Sequence, residues 1–269
     1  MKPGSPLCKA LLLILVPLMV GTGQSFAVTI AGREISRANY REIQRDRYYR
    51  RTEKTFNTVF YKKHFQPEEG EFDLLAYLVK MAKIYEVPPA AVLGGIMGEH
   101  SMNQRGTFKQ AGESGINLIG KKFGKSGEDV VNKLNLKFRG ANGEASFGPG
   151  QIQPFIASAM EAEIKRIRPD AEEDEVDKYN WKGAINIICA YMNYAANWYE
   201  KEGFEVRNDT PLMVTLFNIG ETGRSFEKRA AETKALVDKG ERDGPWLNYF
   251  GFWVLRNQKT LEAKIASAP

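Results

Sequence analysis

Ala90 to Ser101 reads AAVLGGIMGEHS, and this stretch decides how the rest of the chain is read. Val92, Leu93, Ile96 and Met97 recur at helical spacing, and Pro89 stands where a first helical residue needs no N–H donor. Gly94 and Gly95 cost helix propensity, so their presence predicts close helix packing or room for a ligand. Glu99 is the only acidic residue between Glu86 and Glu113. On an otherwise apolar helix its carboxyl is expected to be partly desolvated. Desolvation raises a carboxyl pKa, and an acid kept protonated near neutral pH can protonate a leaving-group oxygen. The plain alternative is a glutamate that emerges into solvent at a helix end.

Outward from this helix the pattern stays helical. Glu71 to Glu86 has an apolar side formed by Leu74, Leu75, Leu78 and Val79, and Pro88-Pro89 ends it. Helices are expected over Pro154 to Arg168, and over Trp181 to Glu202 with Asn180 as N-cap and Gly203 as stop. Others are expected from a Thr210-Pro211 cap to Gly220, over Ser225 to Asp238, and over Pro245 to Ile265. The acidic run Asp170 to Asp177 reads as a solvated face or helix start. Gln104 to Ala145 is glycine-rich, with a short helix expected over Gly127 to Leu136 and a small hairpin as the segment's only strand signal. Val28 to Gly32 reads as a short strand or a flexible lead. The fold class expected is all-α.

The first residues read as a secretory signal over 1–27. Lys2 and Lys9 precede an uncharged apolar run, Ala10 to Val20, and Ser25 and Ala27 supply the small residues of a cleavage site. Eleven apolar residues are too few to span a bilayer core, which needs about 20. Cleavage would leave 242 residues and lower the formal charge from +5 to +3, with a periplasmic or secreted location expected. Only Cys189 would remain, in an apolar stretch where a small buried hydrophobe is the natural reading. His64 and His100 are far apart in sequence, and no CxxC, HExxH or calcium-loop pattern supports a metal or cofactor site.

Residues 28–70 form a basic helical extension. Arg33 to Lys63 holds ten Lys/Arg against four Asp/Glu, interleaved with Tyr40, Tyr48, Tyr49, Phe56, Phe60 and Tyr61. Such a segment either meets an anionic envelope surface or packs its aromatics on the main domain, 71–269, and leaves its charges solvated. Nucleic acid is not an expected partner of an exported chain.

Further motifs follow Glu99 in order: Ala145 to Pro154 as ASFGPGQIQP, the apolar helix through Ile187 to Met192, and Leu212 to Gly220 as LMVTLFNIG. The ordered set resembles the lysozyme-like superfamily of goose-type lysozymes and soluble lytic transglycosylases, which carries a helix ending in Glu-Ser, a G-L-M-Q turn, a long core helix and A-Y-N-x-G. The chain is closer still to an uncharacterised family of exported bacterial proteins with lysozyme-like motifs. The matching segments are EHSMN at Glu99 to Asn103, FGPGQ at Phe147 to Gln151, LFNIG at Leu216 to Gly220, and NYFGFW at Asn248 to Trp253.

The resemblance implies a lysozyme-like helical domain that cleaves peptidoglycan glycan strands, with Glu99 as general acid and base. Substrate contacts would come from Ser101, Gln151, Phe217, Asn218 and Tyr191. In the lytic transglycosylase reaction one carboxyl suffices, because the substrate's N-acetyl group assists. A hydrolase would need a second carboxylate, for which Glu113, Asp129 and Glu144 stand open. The chain departs from the transglycosylase pattern in four places, one being the Gln104 to Ala145 insertion, which exceeds what that family usually carries and could line or cover the cleft. His100 displaces the serine to Ser101, about 100° further round the helix. Pro149-Gly150 replaces Leu-Met. Phe217 stands where the family has tyrosine, so a hydroxyl expected beside the glutamate is missing, with Tyr191 or Tyr194 as candidates to replace it. These departures would also suit a non-catalytic wall-binding or scaffold protein that keeps a lysozyme-like groove.

Overall fold

The computed structural model describes residues 27–102, 122, 152–220 and 224–268. The expected signal residues 1–26, Gln151, Glu113, Asp129, Glu144 and the short helix and hairpin of the glycine-rich segment lie outside the described residues. Among the described residues the chain is predominantly helical, with one two-stranded sheet. The hairpin comes first: β1 (Ala27–Ile30) pairs antiparallel with β2 (Arg33–Ser36), Val28 opposite Ile35. Ala31 and Gly32 both take positive φ at the turn, which suits the twist of a tight hairpin. One or two amphipathic helices were the expectation for Arg33 to Lys63. The segment is instead a strand, helix α1 (Arg37–Arg45), a 3-10 turn (Tyr49–Glu53) and helix α2 (Thr58–Phe65).

There follow α3 (Leu74–Ile84), α4 (Pro89–Met102), α5 (Pro154–Ile167), α6 (Trp181–Lys201), α7 (Thr210–Ile219), α8 (Phe226–Asp238) and α9 (Tyr249–Ala266). Side-chain caps set several of these starts. Asp73 accepts from the Ala76 N–H, Asn180 from Gly183, and Ser225 from Lys228. Two boundaries differ from expectation. Asp209, not Thr210, caps α7, its carboxylate accepting from the Leu212 N–H. Helix α9 begins at Tyr249 rather than Pro245, because the Asn248 side chain accepts from the N–H groups of Phe250 and Gly251.

Helix α4 is the centre of the molecule. Every residue from Ala90 to Gly98 is buried, as expected of a helix apolar all round. Its glycines serve close packing. A Cβ on Gly94 would meet Val254 at 3.2 Å and Leu261 at 3.3 Å, one on Gly95 would touch Met192 and Phe217 at 3.4 Å, and the Phe250 ring lies against Gly98. Helix α9 approaches α7 in the same way. A Cβ on Gly251 would collide with Thr215 Oγ1 and lie 2.5 Å from the Pro211 carbonyl oxygen.

The segment 28–70 is fastened to this core. Ile35, Ile43, Tyr61 and Phe65 are buried in it. Asn39 exchanges two hydrogen bonds with the Leu247 backbone, 2.8 and 3.0 Å, and the Trp253 indole N–H donates to the Lys54 carbonyl at 2.8 Å. Its cations stay outside: Arg37, Arg41, Arg45, Arg50, Lys62 and Lys63 are exposed. Cys189 is fully buried in α6, and burial pushes its thiol pKa up, which removes it as a nucleophile.

The acidic run is not simply a solvated face. Glu175 is 8% exposed, forked to Arg168 at 2.9 and 2.8 Å, and accepts from the Tyr77 hydroxyl at 2.7 Å. Asn186 on α6 donates to that hydroxyl oxygen and to the Glu175 carbonyl. Burial alone would raise the Glu175 pKa. Arg168, Tyr77 and the Glu172 N–H outweigh it and hold the carboxyl at about 2.

Two outcomes follow from this packing. Gly251→Ala lowers stability by about 1 to 3 kcal/mol in denaturant unfolding, because a backbone carbonyl cannot step aside; an unchanged midpoint would show that α7 and α9 separate freely. Glu175→Ala costs about 3 to 5 kcal/mol at neutral pH, since it leaves the Arg168 guanidinium buried without its partner. The stabilisation from Glu175 is complete above its ordinary pKa of 4.5 and is lost as pH falls towards 2. Acid titrations of wild type and variant should therefore converge over that window.

Candidate functional site

Glu99 lies half-buried in the last turns of α4. Gly95 is one helical turn earlier on the same face, and the Phe217 ring rests against it. This contact brings the end of α7, and with it Asn218, to the Glu99 end of α4. The Phe250 ring against Gly98 does the same for the start of α9, and with it Tyr249. Three helices far apart in sequence thus converge because two glycines leave room for two aromatic rings.

A chain of amides and a phenol links them. Asn248 uses its side-chain oxygen to cap α9 and donates its Nδ2–H to Asn218 Oδ1 at 2.8 Å. Its backbone N–H donates to Thr215 Oγ1 at 3.3 Å. The Asn218 side chain in turn hydrogen-bonds the Tyr249 phenol in the sense that lowers its pKa, as an amide N–H donated to the phenol oxygen does. Burial first, then the negative charge of Glu99, push the other way and carry Tyr249 up to about 12. The phenol is therefore a neutral O–H donor at any physiological pH, held in the field of the Glu99 carboxylate.

Basic and aromatic groups flank this cluster. The Tyr48 ring lies 5.2 Å from that of Tyr249, and the guanidinium groups of Arg47 and Arg51 sit 4.5 and 4.2 Å over Tyr48. Arg51 is close enough to lower the Tyr249 pKa. Next to Glu99 along α4, His100 stacks on Phe60 at 3.8 Å, and His64 approaches the same ring at 4.7 Å and Trp181 at 5.1 Å. The two histidines, remote in sequence, meet across Phe60. Burial, helped by Lys63 and His100, lowers the His64 pKa. Among the described residues no group of three or more His, Cys, Asp or Glu is placed to hold a metal ion.

The other expected site residues fall in different places. Ser101 is fully buried, and its hydroxyl accepts from the Asn57 N–H at 3.0 Å, so it fastens the extension rather than facing a ligand. Tyr191 is 1% exposed; its ring meets Phe217 edge-on at 6.4 Å and Phe226 at 5.2 Å, which makes it backing for Phe217. Tyr194 packs near Trp198 and Phe226. Phe217 and Asn218 are half-buried at the site. The phenol that feels the Glu99 charge is that of Tyr249. The Asn-Tyr pair of the late NYFGFW segment was its only trace in the sequence, and nothing there paired it with Glu99. No protein-family model, curated protein or solved structure matches the chain.

A double-mutant cycle over Asn218→Ala and Tyr249→Phe should show a coupling of about 0.5 to 1.5 kcal/mol in unfolding free energy. Additive losses would mean that the amide and phenol do not act as a unit.

Proposed function

We propose that this protein is an exported peptidoglycan-cleaving glycosidase of the lytic transglycosylase kind, built on a lysozyme-like helical domain. One observation carries the reading: a half-buried glutamate at the end of a buried helix acts electrostatically on a phenol from a second helix, and an amide from a third helix hydrogen-bonds that phenol. Glu99 and Asn218 lie in motifs that resemble the lysozyme-like superfamily, and Tyr249 lies in the late segment that resembles the exported family. In this reading the Tyr249 phenol, which feels the Glu99 charge, takes the part of the hydroxyl that Phe217 lacks.

In this reading Glu99 protonates the glycosidic oxygen as the bond to the anomeric carbon breaks. The neighbouring N-acetyl group of the substrate stabilises the positive centre. The Glu99 carboxylate then removes the proton from the sugar's own 6-hydroxyl, whose oxygen closes onto the anomeric carbon. The product is a 1,6-anhydro sugar, no water is consumed, and the carboxyl ends protonated as it began. The Tyr249 O–H, oriented by Asn218 and Asn248, is a fixed donor where charge develops, and costs no reorganisation during the step. The signal-like residues 1–27 support export to the wall, and no helix among the described residues is long and apolar enough to cross a membrane. The exposed cations of the 28–70 segment suit an anionic envelope surface.

Incubation of the protein with purified peptidoglycan, followed by mass analysis of soluble products, tests this directly. Anhydro-muropeptides are expected from the wild type, with release reduced at least about a hundredfold in Glu99→Gln. Reducing-end products would replace the mechanism with hydrolysis. Wall binding by both proteins with no products across pH and salt would leave a glycan-binding scaffold instead.

A further inference from the structure

Tyr249 and Asn248 form part of the wall of a cavity of about 370 Å³. The Glu99 charge acts on the same Tyr249 phenol, so the cavity and the glutamate flank one side chain. Its lining is divided by charge. Arg224, Arg229 and Arg242 supply cations, and Glu42, Asp46 and Glu232 supply carboxylates. Some of this charge is already used internally. Arg224 is paired with Glu232 at 2.7 Å, and Asp46 accepts from the Tyr48 N–H at 2.7 Å. Arg242 differs. Its guanidinium lies over the Trp246 ring at 4.2 Å and has no carboxylate partner among the described residues. Trp246 is itself anchored, its indole N–H donating to Asp243 at 2.8 Å.

A guanidinium held on an aromatic face keeps its fork of N–H donors in a set orientation, the arrangement that receives a carboxylate with two parallel hydrogen bonds. Glu42, exposed on α1, and Asp46 offer the complementary sign for an amino group. The volume matches a small ligand, and Trp246, Ile219 and Leu236 add apolar surface. We infer that this cavity binds a short zwitterionic peptide carrying free carboxylates, with Arg242 as its carboxylate anchor. Resting on the peptidoglycan reading of the Glu99 site, the occupant is the stem peptide. In that polymer the peptide hangs from muramic acid, the sugar on one side of the bond to be cut. A bound stem would therefore place the scissile linkage relative to Tyr249 and Glu99.

Isothermal titration of the protein with synthetic L-Ala-γ-D-Glu-meso-diaminopimelyl-D-Ala tests this without any glycan. The wild type and Glu99→Gln should bind it equally. Arg242→Ala, checked for folding by its melting curve, should bind at least about tenfold more weakly, as loss of a charge-assisted pair requires. The same peptide with its carboxylates amidated should lose about as much affinity for the wild type, which keeps the test decisive even if the variant fails to fold. No binding of the peptide by the wild type at millimolar concentration, or equal affinity for the free and amidated peptides, overturns the inference. Peptide binding without glycan cleavage would remove the glycosidase reading and leave the pocket; cleavage without peptide binding would do the reverse.

Discussion

The arrangement depends on how closely other helices can approach α4. A helix with side chains at every position holds its neighbours about 8 to 10 Å away. Gly94, Gly95 and Gly98 remove that spacer at successive points, so Val254 and Leu261, then Phe217 and Met192, then Phe250 rest against bare backbone. The helix loses intrinsic propensity at each glycine and recovers it in contact. Because two of these contacts involve the residues just before Asn218 and just after Tyr249, the packing that stabilises the core also delivers the polar groups to Glu99.

Polar bonds then specify the arrangement that apolar packing permits. Asn248 caps α9, holds Asn218 and reaches Thr215, so the start of α9 cannot rotate without leaving several buried groups unsatisfied. On the other side of α6, the Glu175–Arg168–Tyr77–Asn186 network ties α3, the end of α5 and α6 together. An ion pair this buried contributes little net stability over an apolar replacement, but removing one partner is costly. It therefore penalises any packing in which Arg168 and Glu175 do not meet.

The 28–70 segment joins the two themes. Its inward residues complete the core, and its backbone is held by Ser101 and Trp253 from the helices that carry the site. Arg47 and Arg51, stacked on Tyr48, then give the Tyr249 side of the site a positive border. The segment belongs to the same packed body as the glutamate, while its outward cations remain available to solvent.

Much of the helical content was legible in the sequence, because apolar spacing, caps and glycine stops are local signals. Asn180, Ser225 and Gly203 mark their helix ends without reference to the rest of the chain. The place of Glu99, a lone carboxylate near the end of an apolar helix, was legible too. Other features were not. A short strand was one reading of Val28 to Gly32, but its partner β2 lay in a segment whose charge and aromatic spacing suited helices. The acidic run looked solvated because the partners of Glu175 lie elsewhere, Arg168 seven residues and Tyr77 98 residues before it. Ser101 and Tyr191 were plausible ligand contacts by motif position, but burial depends on which neighbours close over a side chain. Sequence alone determined the helical elements and the glycines that let them approach. Only the tertiary structure decided that Tyr249, 150 positions beyond Glu99, would stand within the field of its carboxylate, because a long-range proximity is set by the packing of whole helix faces and leaves no local pattern.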